Sequence, residues 1–269
     1  MILVELSKML RRPRTWATVL LLCALPTLVA IFVAARNIGP RPGEGPAFLS
    51  AVLNNGTLYP AAALAIILPI FLPVAVALMA GESIAGEATA GTLRYLLIRP
   101  VGRTRLLVAK LVSVVVFVLG SVVIVALVSL LVGVSLLGGQ RGSVVSVSGV
   151  DLTPTQVVGR MVLTVGYIGV SMIGVAAIAL FLSTCTDSTP GAALGALAGL
   201  VTSQVLVTLE AASPVGPYLP TRYWLAWIDL FRDPILWRQV ERGFALQLVY
   251  GAVFLGLTWA NFSSKDITS

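Results

Sequence analysis

Hydrophobic positions in this chain come in long blocks, with the polar positions gathered between them. Six blocks run from Thr15 to Ala35, Thr57 to Ala80, Leu106 to Leu137, Val157 to Ser183, Pro190 to Leu209 and Gly243 to Phe262. A helix of about 20 residues rises through the roughly 30 Å of a bilayer's hydrocarbon core, and every block reaches that length. The pattern predicts six membrane-spanning helices. The third block is longer than a span requires, so its helix is expected to tilt or to extend beyond the bilayer.

The segments between the blocks have patterns of their own. In residues 1–14, Ile2, Leu3, Leu6, Met9 and Leu10 fall on one helical face and Glu5, Lys8 and Arg12 on the other. That spacing predicts an amphipathic helix lying in the membrane interface. A secretory leader cut near Val33-Ala34-Ala35 is the alternative, and the apolar run is too long for most leaders. Residues 36–56 and 138–156 are rich in Gly and polar residues and read as exposed loops. Residues 210–242 hold three of the five Trp among alternating charges, with no uncharged run long enough to span. Short helices at interface depth are expected there.

Within the blocks, three groups of residues are candidates for function. Pro69 and Pro73 sit mid-span, and each removes a backbone donor, so a kink or local unwinding is expected. It serves either packing or a substrate path. Gly191, Gly195 and Gly199 form a small-residue ridge that lets two helices approach closely, either within the chain or between subunits. Thr202, Ser203 and Gln204 put hydrogen-bonding groups inside the fifth block, where they bond a neighbouring helix or line a translocation path.

Composition sharpens the class. The chain has 269 residues, 58% hydrophobic and 11% charged, with a mean hydropathy of +0.98, against roughly 25% charged for a soluble domain. A single helical membrane domain is expected. The net charge of +7 reflects Lys and Arg gathered at membrane edges rather than a nucleic-acid partner. With the amino terminus inside, inner segments hold 10 of the 18 basic residues, concentrated in Lys8–Arg14 and Arg94–Lys110. Both termini are therefore expected on the cytoplasmic side of the cell membrane. There is no His, and Cys23 and Cys185 lie in or beside apolar runs, so neither a soft-metal ligand set nor a Ser-His-Asp triad can be assembled. No G-x-x-x-x-G-K-[ST] loop is present, so the chain is not expected to be an enzyme, and any nucleotide chemistry belongs to another chain.

A charged stretch, Gly81 to Lys110, separates an uncharged run of 37 residues from one of 30. From Glu87 to Ile98 it reads as a short amphipathic helix, with Leu93, Leu96 and Leu97 on one face and Glu87 and Arg94 on another; Pro100 ends it. A solvated positive-inside connector has the same composition.

The order Gly81, Glu82, Ile84, Glu87, Gly91-Thr92-Leu93, Leu96-Leu97, Pro100, Arg103 and Lys110 resembles the cytoplasmic loop of type-2 ABC transporter permeases. The ending Phe262-Ser-Ser-Lys-Asp-Ile267 and the overall layout resemble that family too. The resemblance implies half of a type V ABC exporter: all-α, with six transmembrane helices, an interfacial helix at 1–14, a coupling loop at 82–105 and re-entrant helices at 210–242. It implies a second permease half, identical or paralogous, with spans 2 and 5 near the axis, and two separate ATPase subunits that supply ATP and Mg. Glu82, Glu87, Thr92, Arg94, Arg99 and Arg103 would then face the ATPase, Arg99 and Arg103 alternatively membrane lipid phosphates. Pro69, Pro73, Thr202, Ser203 and Gln204 would line the path, and Gly191, Gly195 and Gly199 would pack the dimer. The cargo would be a hydrophobic or amphipathic drug or lipid. Rival readings are an ABC-coupled subunit that transmits force or assists maturation of another protein without transport, and a secondary transporter, which would need an ionisable group deep in a span.

Overall fold

The computed structural model describes residues 1–36, 48, 55–89, 91, 103–138, 144, 145 and 147–264. Eight α-helices are found among them: α1 (Ile2–Arg11), α2 (Pro13–Arg36), α3 (Tyr59–Ile67), α4 (Phe71–Thr89), α5 (Arg103–Leu136), α6 (Pro154–Cys185), α7 (Thr189–Thr208) and α8 (Trp237–Ser264). Five of these are long and apolar enough to cross a membrane. The pair α3 and α4, counted as one broken span, makes six. The protein is a helical membrane protein, and among the described residues the one sheet is a two-stranded antiparallel ribbon, β1 (Val144–Val145) with β2 (Asp151–Leu152).

Helix boundaries follow local chemistry. Arg12 adopts extended backbone between α1 and α2, as expected for the residue before Pro13. Thr153 and Gln156 form a reciprocal capping box at the start of α6, with Pro154 in the first turn. Ser188 caps α7 by accepting from the Gly191 N–H.

The second span breaks where its prolines lie. The two segments, Gly56–Ile67 and Phe71–Glu87, are bent by 61°. Pro69 cannot donate to Ala65, nor Pro73 to Pro69, so two consecutive turns lose their ladder bonds. The bend changes the span's neighbours: α3 packs on α2 and α5, whereas α4 packs on α6 and α7. Alongside, α5 runs from Lys110, which meets Glu87, to Gly133, which meets Tyr59. That stretch of α5 rises about 35 Å at 1.5 Å per residue, and the break falls within it, nearer to Tyr59 than to Glu87. Pro69, Ile70 and Phe71 are exposed on the side of the bundle.

α6 is the most buried of the five unbroken spans and packs against α4, α5, α7 and α8. Glycines set its distance from α8. A Cβ at Gly174 would collide with the Gln247 amide, and one at Gly243 with the Tyr167 hydroxyl. The Trp259 indole donates to Thr104 (3.1 Å) and the Asn261 amide to Thr184 (2.9 Å). These bonds bring the end of α8 to the same membrane face as the start of α5. The Lys110–Glu5 pair (3.7 Å) places α1 on that face too.

Two expectations from the sequence are corrected here. The aromatic segment does not form interfacial helices throughout: 3-10 turns occupy Glu210–Ala212, Gly216–Tyr218 and Ala226–Phe231. Trp224, Trp227 and Phe231 are buried against α6 and α8, because a rigid aromatic cluster covers the ends of both helices. The buried Arg160 pins this cap by donating to the Arg232 carbonyl (3.0 Å) and to Asp233 (3.4 Å). The last span also starts at Trp237 rather than Gly243, with Arg238, Glu241 and Arg242 in its first turns.

Candidate functional site at the charged membrane face

The last turns of α4, Gly81 to Thr89, carry the greatest concentration of inter-element polar bonds among the described residues. Ser183 of α6 accepts from the backbone N–H groups of Ile84 (3.1 Å) and Ala85 (2.9 Å) and donates to the Gly81 carbonyl (2.7 Å). The Thr89 hydroxyl donates to the Asp187 carbonyl in the α6–α7 turn (2.7 Å). Gly81 lets α7 approach: a Cβ there would stand 3.1 Å from the Ala193 backbone nitrogen.

A four-charge cluster locks the other side. Lys110 Nζ of α5 lies 2.8 Å from Glu87 Oε1 and 3.7 Å from Glu5 Oε2, and donates to the Ser83 carbonyl at 2.6 Å. Lys8 Nζ is 3.0 Å from Glu5 and 3.9 Å from Glu87. The ammonium of Lys110 thus has two close acceptors and a second carboxylate at ion-pair distance, which compensates its burial. It is 2% exposed and Glu87 is 8% exposed. Burial pushes the Glu5 carboxyl up, but Lys110, Lys8 and Arg12 together hold it below the usual carboxylate value. A cavity of about 40 Å³ adjoins the cluster, beside Met9, Met79 and Phe117.

On the neighbouring side, Arg14 Nη1 meets Glu82 Oε1 at 2.7 Å. Arg12, Arg14, Glu82, Gly86, Thr89, Thr189 and Pro190 line an open groove of about 510 Å³. This groove lies where the α1–α2 elbow, the end of α4 and the start of α7 converge.

The structure divides the candidate residues. Glu82 lines the groove and bonds Arg14. Glu87, expected to open a separate surface helix and face outward, belongs instead to α4 and turns inward to Lys110. Its partner is 23 positions away, so only the folded bundle brings the charges together. Thr92, Arg94 and Arg99 lie outside the described residues, as do residues 90 and 92–98 of the expected helix, and Arg103 is described only as the first residue of α5. Pro69 is exposed and Pro73 buried at the break. Ser203 is buried and shares a hydrogen bond with Thr221 (2.8 Å), whereas Thr202 and Gln204 are exposed. Gly191, Gly195 and Gly199 face out of the bundle, and nothing lies within 4 Å of a Cβ built at Gly199. The inward face of α7 is made by Ala192, Ala193, Ala196, Leu200 and Ser203.

Sequence reasoning missed Lys110, Glu5 and Lys8 as one unit. The available signal was the lone Lys of α5, set seven residues inside its amino end.

A family model described as "Protein of unknown function (DUF2705)" matches residues 27–268. No curated protein matches the chain. The chain belongs to the DUF2705 family.

Proposed function

We propose that this member of the DUF2705 family is the membrane permease subunit of an ATP-driven ABC exporter, powered by separate ATPase subunits. The observation that carries the reading is the set of bonds around Gly81–Thr89. α4 leads directly into residues 90–102, the segment that resembles a coupling loop. Its last turns are bonded to α1, α2, α5, α6 and the α6–α7 turn. A push on that segment would move these elements together rather than bend a loose connector.

In this reading the charged face is cytoplasmic, in the cell membrane, with both termini on that side. The ATPase docks across the groove beside Arg12, Arg14, Glu82 and Thr89 and onto Thr92, Arg94, Arg99 and Arg103. Glu87 holds α4 in place for it from inside. ATP and Mg stay with the ATPase, and its closure on ATP drives the α4 end. The break at Leu68–Ile70 gives that motion a place to act, since two proline-deprived turns resist bending less than an intact helix.

The outward ridge of α7 supports a second permease half. Gly191, Gly195 and Gly199 offer close approach, and exposed Thr202 and Gln204 at membrane depth need either a partner helix or water. The same need applies to the exposed break at Pro69–Phe71. An axis lined by the break and α7 would give a path for a hydrophobic or amphipathic cargo. The test is affinity purification of the chain from its own host's membranes. An ATPase present in stoichiometric amount is expected, and its absence overturns the reading.

A further inference from the structure

At the end of the bundle away from the charged face, α5 and α6 diverge around a groove of about 450 Å³. Its floor is Pro60 at the start of α3, and its walls include Leu127 and Leu130 of α5 and Val158 and Val162 of α6. Its chemistry is uniform. No aromatic or charged side chain lines it, and the one polar lining residue, Thr57, already donates its hydroxyl to Asn55 Oδ1 at 2.6 Å. Pro60 and Pro154, which line its outer end, have no N–H to offer. A ligand in the groove meets only aliphatic surface.

We infer that this groove seats one acyl chain of a membrane phospholipid as a resident lipid. The dimensions select this occupant. The lining runs from Leu130 to Val123 on α5 and from Pro154 to Val165 on α6, or about 10–17 Å of helix, so the volume corresponds to a cross-section of about 25–45 Å². A helix is about 10 Å across and needs about twice that area. The occupant is therefore slimmer than a helix, and the groove lies between two membrane-spanning helices where hydrocarbon chains are the surrounding solvent. Leu127, Val158 and Val162 are each more than half exposed. Covering them with a chain held on three sides removes them from exchange with the bulk lipid. Met161 gives the wall an adaptable surface. The chain would also rest on Pro60, bracing the short half of the broken span.

The test is photolabelling of the full chain reconstituted in phosphatidylcholine vesicles doped with phosphatidylcholine bearing a diazirine midway along one acyl chain. Adducts on Leu127, Val158 and Val162 are expected to saturate as the dopant rises. Adducts on Leu248 and Val253, on the exposed face of α8, are expected to rise in proportion to it. Ala126→Phe fills the groove from its α5 wall and should abolish the saturable adducts while leaving those on α8. Val158→Phe, at an exposed position, gives the same readout without disturbing the core. Proportional labelling everywhere, saturable labelling that survives both substitutions, or adducts linking the groove to a protein segment overturns the inference.

Discussion

Lys110 and Glu87 meet at 2.8 Å between the first turns of α5 and the last turns of α4, both nearly sealed from solvent. Twenty-three residues apart in sequence, they close the loop between those helices from inside. Removing one partner leaves the other charge buried. Lys110→Met is expected to destabilise the protein by about 3–5 kcal/mol, read as a fall in thermal midpoint in detergent. The double variant Lys110→Met with Glu87→Gln should recover much of the loss, because the uncompensated charge is gone.

Arg14 and Glu82 make an equally short pair with a different consequence. Arg14 is 79% exposed at its side chain, and an exposed pair contributes about 0–1 kcal/mol. Arg14→Ala is expected to leave the thermal midpoint almost unchanged. If Glu82 and Arg14 form part of a docking surface, the same variant weakens ATPase binding at low salt, and the difference from the parent shrinks at high salt, where the Arg14 charge is already screened.

The docking of α1 should depend on acid. Glu5 is held below its ordinary pKa, so its stabilising contribution is complete above the unfolded carboxylate value and is lost as pH falls through the lower folded value. Hydrogen exchange in residues 2–11 is expected to be unchanged through neutral pH and to accelerate, beyond the intrinsic pH effect, once Glu5 takes up a proton. The response should disappear in Glu5→Gln.

Two glycines distinguish packing within the chain from packing between chains. Gly243→Ala sets a methyl against the Tyr167 hydroxyl and Tyr223 and is expected to destabilise the chain by about 1–3 kcal/mol. Gly199→Leu meets open space and should leave the monomer's stability intact. If α7 is the subunit interface, Gly199→Leu shifts the protein from dimer to monomer in nanodiscs, measured by mass photometry.

Much of the fold was legible because membrane spans are written as uncharged length. The break in the second span was legible for a related reason: Pro69 and Pro73 delete donors wherever they sit. The start of α8 was hidden because Arg238, Glu241 and Arg242 interrupt hydropathy without interrupting the helix. The aromatic cap was misread because Trp and Phe serve equally at an interface and in a core, and only the neighbouring helices decide. Glu87 shows the limit for the candidate site. Its charge and helical position were readable, but its direction depended on Lys110, on another helix. The ridge of α7 was visible as a pattern, and its outward face emerged only once Ala192, Ala193 and Ala196 had taken the inward one.

The central claim is that a separate ATPase engages the face built around the end of α4. The most direct measurement places a photo-crosslinking amino acid at Arg12, in the groove, and in a second variant at exposed Tyr218, at the opposite end of the bundle. After irradiation of native membranes, an adduct with an ATPase is expected from the Arg12 position and none from Tyr218. No ATPase adduct at Arg12, or equal adducts at both positions, would contradict the account.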